Sequence, residues 1–266
     1  RSPKESYFMK FDFKEDRLAE AFYHARDYDE AIQKLKFVIN EEDWLEFVEA
    51  VEYLKPRIYS QINQSNQFKK FTTKINDVLS HKIVVNYLKK AEGFYQSTAS
   101  AEKLNIYLVC RPDSENDSAF ILNNTIIMLI PNSAEKFVSP QKLIEYTSIL
   151  MHEMMHFYSM SAKGIDSGSL DEISNNPNEP ITKSFIIEEP LAVILGQKLF
   201  KKICFPEFYD FYESEYTHPW VDTLSRLNER LVEDYLEQNK PMDRNLLEKY
   251  SLLANKMIEA GADFER

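Results

Sequence analysis

In "SILMHEMMHFYSM", residues 148–160, two histidines stand four residues apart, in a chain that has only five histidines. At i and i+4, His152 and His156 share one helix face, about 5–6 Å apart at Cβ. At that separation two imidazoles can converge on one tetrahedral metal ion. Glu153 is turned about 100° from His152, away from the shared coordination position but within reach of a water held there. Two ligands and a general base are the division of labour of the His-Glu-x-x-His motif. The competing reading is a buried helix that happens to contain two histidines. Ile149, Leu150, Met151, Met154, Met155 and Phe157 fit burial with or without a metal.

A catalytic zinc keeps three protein ligands and one open position, so a third ligand must come from elsewhere in the chain. "FIIEEPLAVILG", residues 185–196, places Glu188 and Glu189 at the start of another apolar run. Carboxylates inside such a run are costly unless paired or bound to a cation. Against this, carboxylates are also favoured at helix N-termini that hold no metal. His24 and His81 read as ordinary residues of the helical part.

The elements that must position these residues follow from the pattern. Ser139-Pro140 is a good N-cap followed by a proline at the first helical position. A long apolar helix should run from there to about residue 161 and end near Gly164. Before it, "LNIYLVC" (104–110) reads as a buried strand. "SAFIL", Asn123-Asn124 and "TIIMLI" read as a β-hairpin, because asparagine tolerates the positive φ of a tight turn. Residues 163–182 are polar and rich in turn formers, a long surface loop of a length that is often functional.

The first eighty or so residues carry helical periodicity. "DRLAEAFYHARDYDEAIQKLKFVI" holds it throughout, and "EEDWLEFVEAVEYLKPRIYSQI" holds it until Pro56, which is expected to interrupt the helix. "NQSNQ" (63–67) is loop-like, and a further helix is expected over 81–96. From Phe185 onward the chain is again helical, with breaks near Pro206, at "THPW" (217–220) and at Pro241. The domain reading is a helical N-terminal region, residues 1–80, followed by a catalytic domain, residues 81–266.

Composition narrows the function classes. The mix of 44% hydrophobic and 28% charged residues is that of a globular chain, and only five glycines leave little for phosphate loops. A net charge of −11 argues against non-specific binding to nucleic acid or anionic membrane surfaces. The longest apolar run, "TIIMLIP", is strand-sized and too short to span a bilayer. Cys110 and Cys204 are too few for a disulfide framework, though one bridge between them would be compatible with the sequence. A chain that begins at Arg1 fits a removed signal segment, a removed transit segment or a trimmed start, and of these the reading favours an exported protein, secreted or periplasmic.

The residues from about 104 to 196 resemble those of the zincin metallopeptidases, more narrowly the gluzincins. In that family the third ligand is a glutamate on a helix after the His-Glu-x-x-His helix. "EPLA" puts Glu189 at the place of the ligand glutamate in the family's Glu-Gly-x-Ala, so the resemblance favours Glu189 over Glu188. It implies an α+β, mostly helical fold with a small mixed β-sheet and the motif's helix at the active site. It also implies Zn²⁺ on His152, His156 and Glu189, with Glu153 as base, and an oxyanion donor downstream, for which "EYTHPW" offers Tyr216 and His218. "SAFILNNTIIMLIPN" is similar to the family's edge-strand hairpin, which implies a peptide bound as an added strand near residues 118–122. Two departures stand out. Thirty-two residues separate His156 from Glu189, and Val193 occupies a place where thermolysin-like enzymes have an aspartate. A carboxylate behind a ligand histidine is still expected on physical grounds, and Glu188 is a candidate for it.

The expectation is therefore a zinc-dependent hydrolase that cleaves peptide bonds in peptides or proteins. Two alternatives stay open. One is a binding or scaffold protein with a degenerate or structural zinc site, against which the intact Glu153 speaks. The other is a zinc hydrolase of a non-peptide amide or ester.

Overall fold

The computed structural model describes residues 28–64, 66–98, 104–111, 117–122, 124–131, 139–162 and 187–259, with Ala21 and Ala25. His24, Asn123, Gly164 and the expected polar loop at 163–182 lie outside the described residues. The chain divides into two compact units, Arg1–Ser65 and Asn66–Arg266, and the division falls within the polar "NQSNQ" stretch.

The first unit contains helices α1 (Tyr28–Leu35) and α2 (Glu41–Gln64). Asp29 and Glu30 open α1, and Glu41, Glu42 and Asp43 open α2, where carboxylates complement the helix dipole. The Tyr28 hydroxyl bonds Glu52 at 2.5 Å, and Lys55 Nζ sits 3.6 Å over the Tyr28 ring. Contrary to the expectation from sequence, α2 does not stop at Pro56. A proline removes one backbone donor, here the partner of the Glu52 carbonyl, at a cost of about 3 kcal/mol. The helical hydrogen bonds on both sides of it carry the helix through.

In the second unit, α3 (Asn66–Ser80) and α4 (Lys82–Tyr95) are followed by three strands. His81 is the N-cap of α4, its Nδ1 accepting from the Ile83 N–H. The strands are β1 (Asn105–Arg111), β2 (Ser118–Leu122) and β3 (Thr125–Pro131), in the order β1-β3-β2. β2 and β3 pair antiparallel as the expected hairpin, with Leu122 opposite Thr125, and β1 pairs parallel to β3. The sheet is small and mixed, as the sequence reading anticipates. β3 is central, and Ile126, Ile127 and Met128 are all fully buried on its two faces. β1 is only half buried: as an edge strand it turns Tyr107 and Val109 to solvent and packs Ile106 and Leu108 against the core.

Helix α5 (Pro140–Met160) lies against β2 and β3 and against α3 and α4. Ser139 caps it as expected, its Oγ accepting from the Lys142 N–H, with Pro140 at the first turn. Its C-terminal end is tied to the end of α4: the Thr98 N–H donates to the Ser161 carbonyl at 3.1 Å, and the Ser97 and Ser161 hydroxyls meet at 3.0 Å. The core combines Phe71, Tyr87 and Phe94 with Ile126, Met128, Tyr146, Leu150 and Met155.

A second helical run packs on α5. It begins as α6 (Glu189–Val193), widens into a π-helical turn (Ile194–Lys198) and continues as α7 (Leu199–Cys204). The Tyr87 hydroxyl donates to the Leu195 carbonyl, satisfying a backbone acceptor within the wide turn. A short 3₁₀ turn (Pro206–Phe208) leads into an irregular segment. Helices α8 (Pro219–Glu237) and α9 (Arg244–Glu259) follow, so the expected breaks near Pro206, at "THPW" and at Pro241 are all present. Cys204 is a buried free thiol. Among the described residues, no helix is long and apolar enough to cross a membrane.

Candidate metal centre

Helix α5 presents His152 and His156 from successive turns, their rings 4.7 Å apart and tilted by 75°. Their Nε2 atoms face each other at 3.0 Å. Glu189, the first residue of α6, closes the third side. Its Oε2 lies 3.4 Å from His152 Nε2 and its Oε1 lies 3.4 Å from His156 Nε2. The two nitrogens and the carboxylate therefore form a group that could hold a metal ion, with the candidate ligand atoms within 4.8 Å of one another.

These separations suit a small cation. With metal–ligand bonds of about 2.0–2.1 Å, atoms arranged tetrahedrally round one ion stand about 3.3–3.4 Å apart. Two imidazole nitrogens and one carboxylate also match zinc better than calcium or magnesium, which take oxygen ligands. With only protons to share, two Nε2 atoms in contact need one ring to donate to the other, and the carboxylate accepts from whatever donor remains.

The group is largely removed from water: His152 is 6% exposed and Glu189 8%. Burial opposes charge on Glu189, but hydrogen bonds and charge from His152 and His156 win and hold its carboxyl well below the usual range. Burial likewise opposes charge on His156, yet Glu189 foremost, with Glu153 and Glu188, raises it above its ordinary value. Burial also raises the Glu153 carboxyl, against the pull of both histidines and with a further push from Glu189. Glu153 is thus electrostatically coupled to all three ligand candidates.

Of the two adjacent carboxylates it is Glu189 that meets the imidazoles, and Glu188 is not in the group. The charge of Glu188 is felt by His156 and by the buried Tyr95. His152 Nδ1 is buried and makes no hydrogen bond among the described residues, so the carboxylate expected behind that histidine is not found there. A buried polar atom left without a partner costs about 1–3 kcal/mol.

The downstream candidates occupy different positions. Tyr216 lies on the site, its ring stacked on that of His152 with centroids 5.9 Å apart and planes 19° apart. Burial, then the Glu189 and Glu153 carboxylates, push its hydroxyl well above its ordinary value, so it remains a neutral donor. His218 is the N-cap residue of α8, partly buried, and burial lowers its pKa. Tyr216 also borders a cavity of about 560 Å³ walled by Phe211, Tyr212, Pro219 and Leu227. None of the three ligand candidates lines that cavity.

Sequence reasoning overlooked Gly196. It lies in the π-helical turn directly over α5, where a Cβ would stand 2.3 Å from His152 Cα and 2.8 Å from the Met151 carbonyl carbon. The available signal was a glycine within an otherwise apolar helical run, in a chain with only five glycines. Lys198 and Lys201, both buried, were overlooked as well. Comparison of the chain with protein-family models, with curated proteins and with solved structures finds no match in any of the three.

Proposed function

We propose that this protein is a zinc-dependent hydrolase of peptide bonds with a zincin-like core. The observation that carries the reading is the convergence of His152 Nε2, His156 Nε2 and the Glu189 carboxylate, with Glu153 on the helix that bears the two histidines. These three side chains would hold zinc, which when bound supplies Lewis acidity and lowers the pKa of a coordinated water. Glu153 takes the proton of the attacking water and passes it to the leaving amine. Tyr216, neutral and stacked on His152, donates to the oxygen that gains charge as the carbonyl is attacked. His218, at the start of α8, is the alternative donor. An extended peptide would pair with β2, whose outer edge has no neighbouring strand among the described residues, in the sheet order β1-β3-β2.

The test pairs metal analysis with a peptide-library digest of wild type, His152→Ala and Glu153→Gln. The expected pattern is stoichiometric zinc and cleavage in wild type, loss of both in His152→Ala, and zinc without cleavage in Glu153→Gln. Stoichiometric zinc with no cleavage of any peptide by the wild type would instead favour a binding protein or a hydrolase of other amides and esters.

A further inference from the structure

Lysines on the helical run that begins with Glu189 point inward. Lys198 is fully buried and Lys201 is 2% exposed. Lys201 Nζ meets both carboxylate oxygens of Glu215, each at 2.8 Å, and Glu213 Oε2 at 3.6 Å. Lys198 Nζ reaches the carbonyls of Phe211 and Glu213, both at 3.5 Å. The Glu215 N–H donates to Asp222 Oδ1 at 3.2 Å. The irregular segment 211–216 is therefore tied to the helical run that supplies the third ligand candidate. The residue immediately after Glu215 is Tyr216, whose ring lies on His152.

Stability alone is a weak explanation for this pair. Replacing both members of a buried ion pair by apolar residues of similar volume is often neutral or stabilising. Burial here outweighs the attraction of Lys201 and raises the Glu215 carboxyl above its ordinary value. Lys202 forms a similar pair with Glu233 on α8, 2.8 Å away, but that contact holds a helix and not the segment bearing Tyr216.

We propose that Lys201 and Glu215 are positioning residues that fix Tyr216 against His152, so that one helical run brings both Glu189 and Tyr216 to the metal site. What Tyr216 does there rests on the peptidase reading; where it is held does not.

The test is the double variant Lys201→Met/Glu215→Leu in the zinc-loaded protein, with four readouts. These are Tm, zinc stoichiometry, NOEs between the Tyr216 and His152 rings, and kcat and KM on a cleaved peptide. The expected result is a wild-type Tm and zinc content, lost NOEs, and a kcat reduced about 10²–10³-fold, the factor for loss of one oxyanion donor. In a Tyr216→Phe background the same pair of changes should cost nothing further in kcat. Ring NOEs and kcat both unchanged would overturn the proposal. If no peptide is cleaved even by the wild type, lost NOEs still support the positioning role and it is the peptidase reading that fails. If the double variant does not fold, Glu215→Gln, which keeps the volume and one acceptor for Lys201, takes its place. Weakened ring NOEs in that variant support the positioning role, and NOEs of wild-type strength overturn it.

Discussion

Gly196 packs against the backbone of His152 so closely that a Cβ in its place would stand 2.3 Å from His152 Cα and 2.4 Å from its nitrogen. The helical run that supplies Glu189 thus touches the helix that supplies both histidines main chain to main chain. The π-helical turn Ile194–Lys198 is where this happens. Wide turns of this kind recur at functional sites because they re-aim the residues around them.

Gly196→Ala should therefore strike the metal group from a distance. Both close contacts are backbone atoms, so neither can rotate aside, and the two helices must separate. Overpacking typically costs about 1–3 kcal/mol, and here the strain falls on the spacing between Glu189 and the imidazoles. The expected outcome is lower stability in denaturant together with at least tenfold weaker zinc binding in competition with a chromophoric chelator. A variant that binds zinc with wild-type affinity would show that the contact does not set the ligand spacing.

Metal removal should separate the two neighbouring carboxylates. A ligand that binds only the folded state at a hundred times its Kd stabilises it by about 2.7 kcal/mol. Chelation should lower Tm and added zinc should restore it in wild type and in Glu188→Ala. In Glu189→Ala the zinc-dependent rise should vanish. If Glu188→Ala abolishes the rise instead, the assignment of the third ligand is wrong.

Much of this arrangement is legible in the residues themselves. Ser139-Pro140 marks the start of α5, the spacing of His152 and His156 puts them on one face, and the β2–β3 hairpin follows from two apolar runs joined by Asn123-Asn124. The reasons for the misses are physical. Pro56 looks like a stop because local propensity cannot weigh one lost hydrogen bond against the helical bonds that flank it. Lys198 and Lys201 look solvated because their partners, Glu213 and Glu215, lie well over ten residues further along the chain. Gly196 stands out as a glycine inside an apolar helical run, but that does not name its neighbour, since close helix contact is a property of two helices and not of one. Between Glu188 and Glu189 the residues alone leave the choice open; the resemblance of "EPLA" favours Glu189, and it is Glu189 that the helix turns towards the imidazoles.

Acid stability should depend on Asp243. Its Oδ1 accepts from the Leu246 N–H at 2.9 Å at the start of α9 and from the Tyr235 hydroxyl at 2.9 Å, and Lys240 lies 3.0 Å from Oδ2. Burial favours the neutral acid, but these donors outweigh it and lower the carboxyl below its ordinary value. A carboxyl lowered on folding stabilises above its unfolded value, about 3.9, and that contribution is lost as pH falls through the folded value. Asp243→Ala should cost about 1 kcal/mol at pH 7, as for loss of a helix cap. Unfolding curves at pH 7 and near pH 2 should show that difference shrinking; a difference independent of pH would count against an ionised cap.

At the alkaline end the sign reverses, and Cys204 is the residue to watch. Burial in the core pushes its thiol up to about 12. At pH 8 only about one native molecule in 10⁴ would carry the thiolate, the species that alkylating reagents attack. In a Cys110→Ser background, iodoacetamide should leave the native protein almost unlabelled and modify it fully once unfolded. The unfolded chain loses the same proton near about 8.5, so between there and 12 the native state binds more protons than the unfolded state. Stability must then fall as pH rises through that window. Replacing Cys204 by alanine should flatten the slope, measured as the difference between the two unfolding curves at each pH. Rapid native labelling at pH 8 would mean the thiol is reachable and ionised, and that α7 packs only loosely against α4.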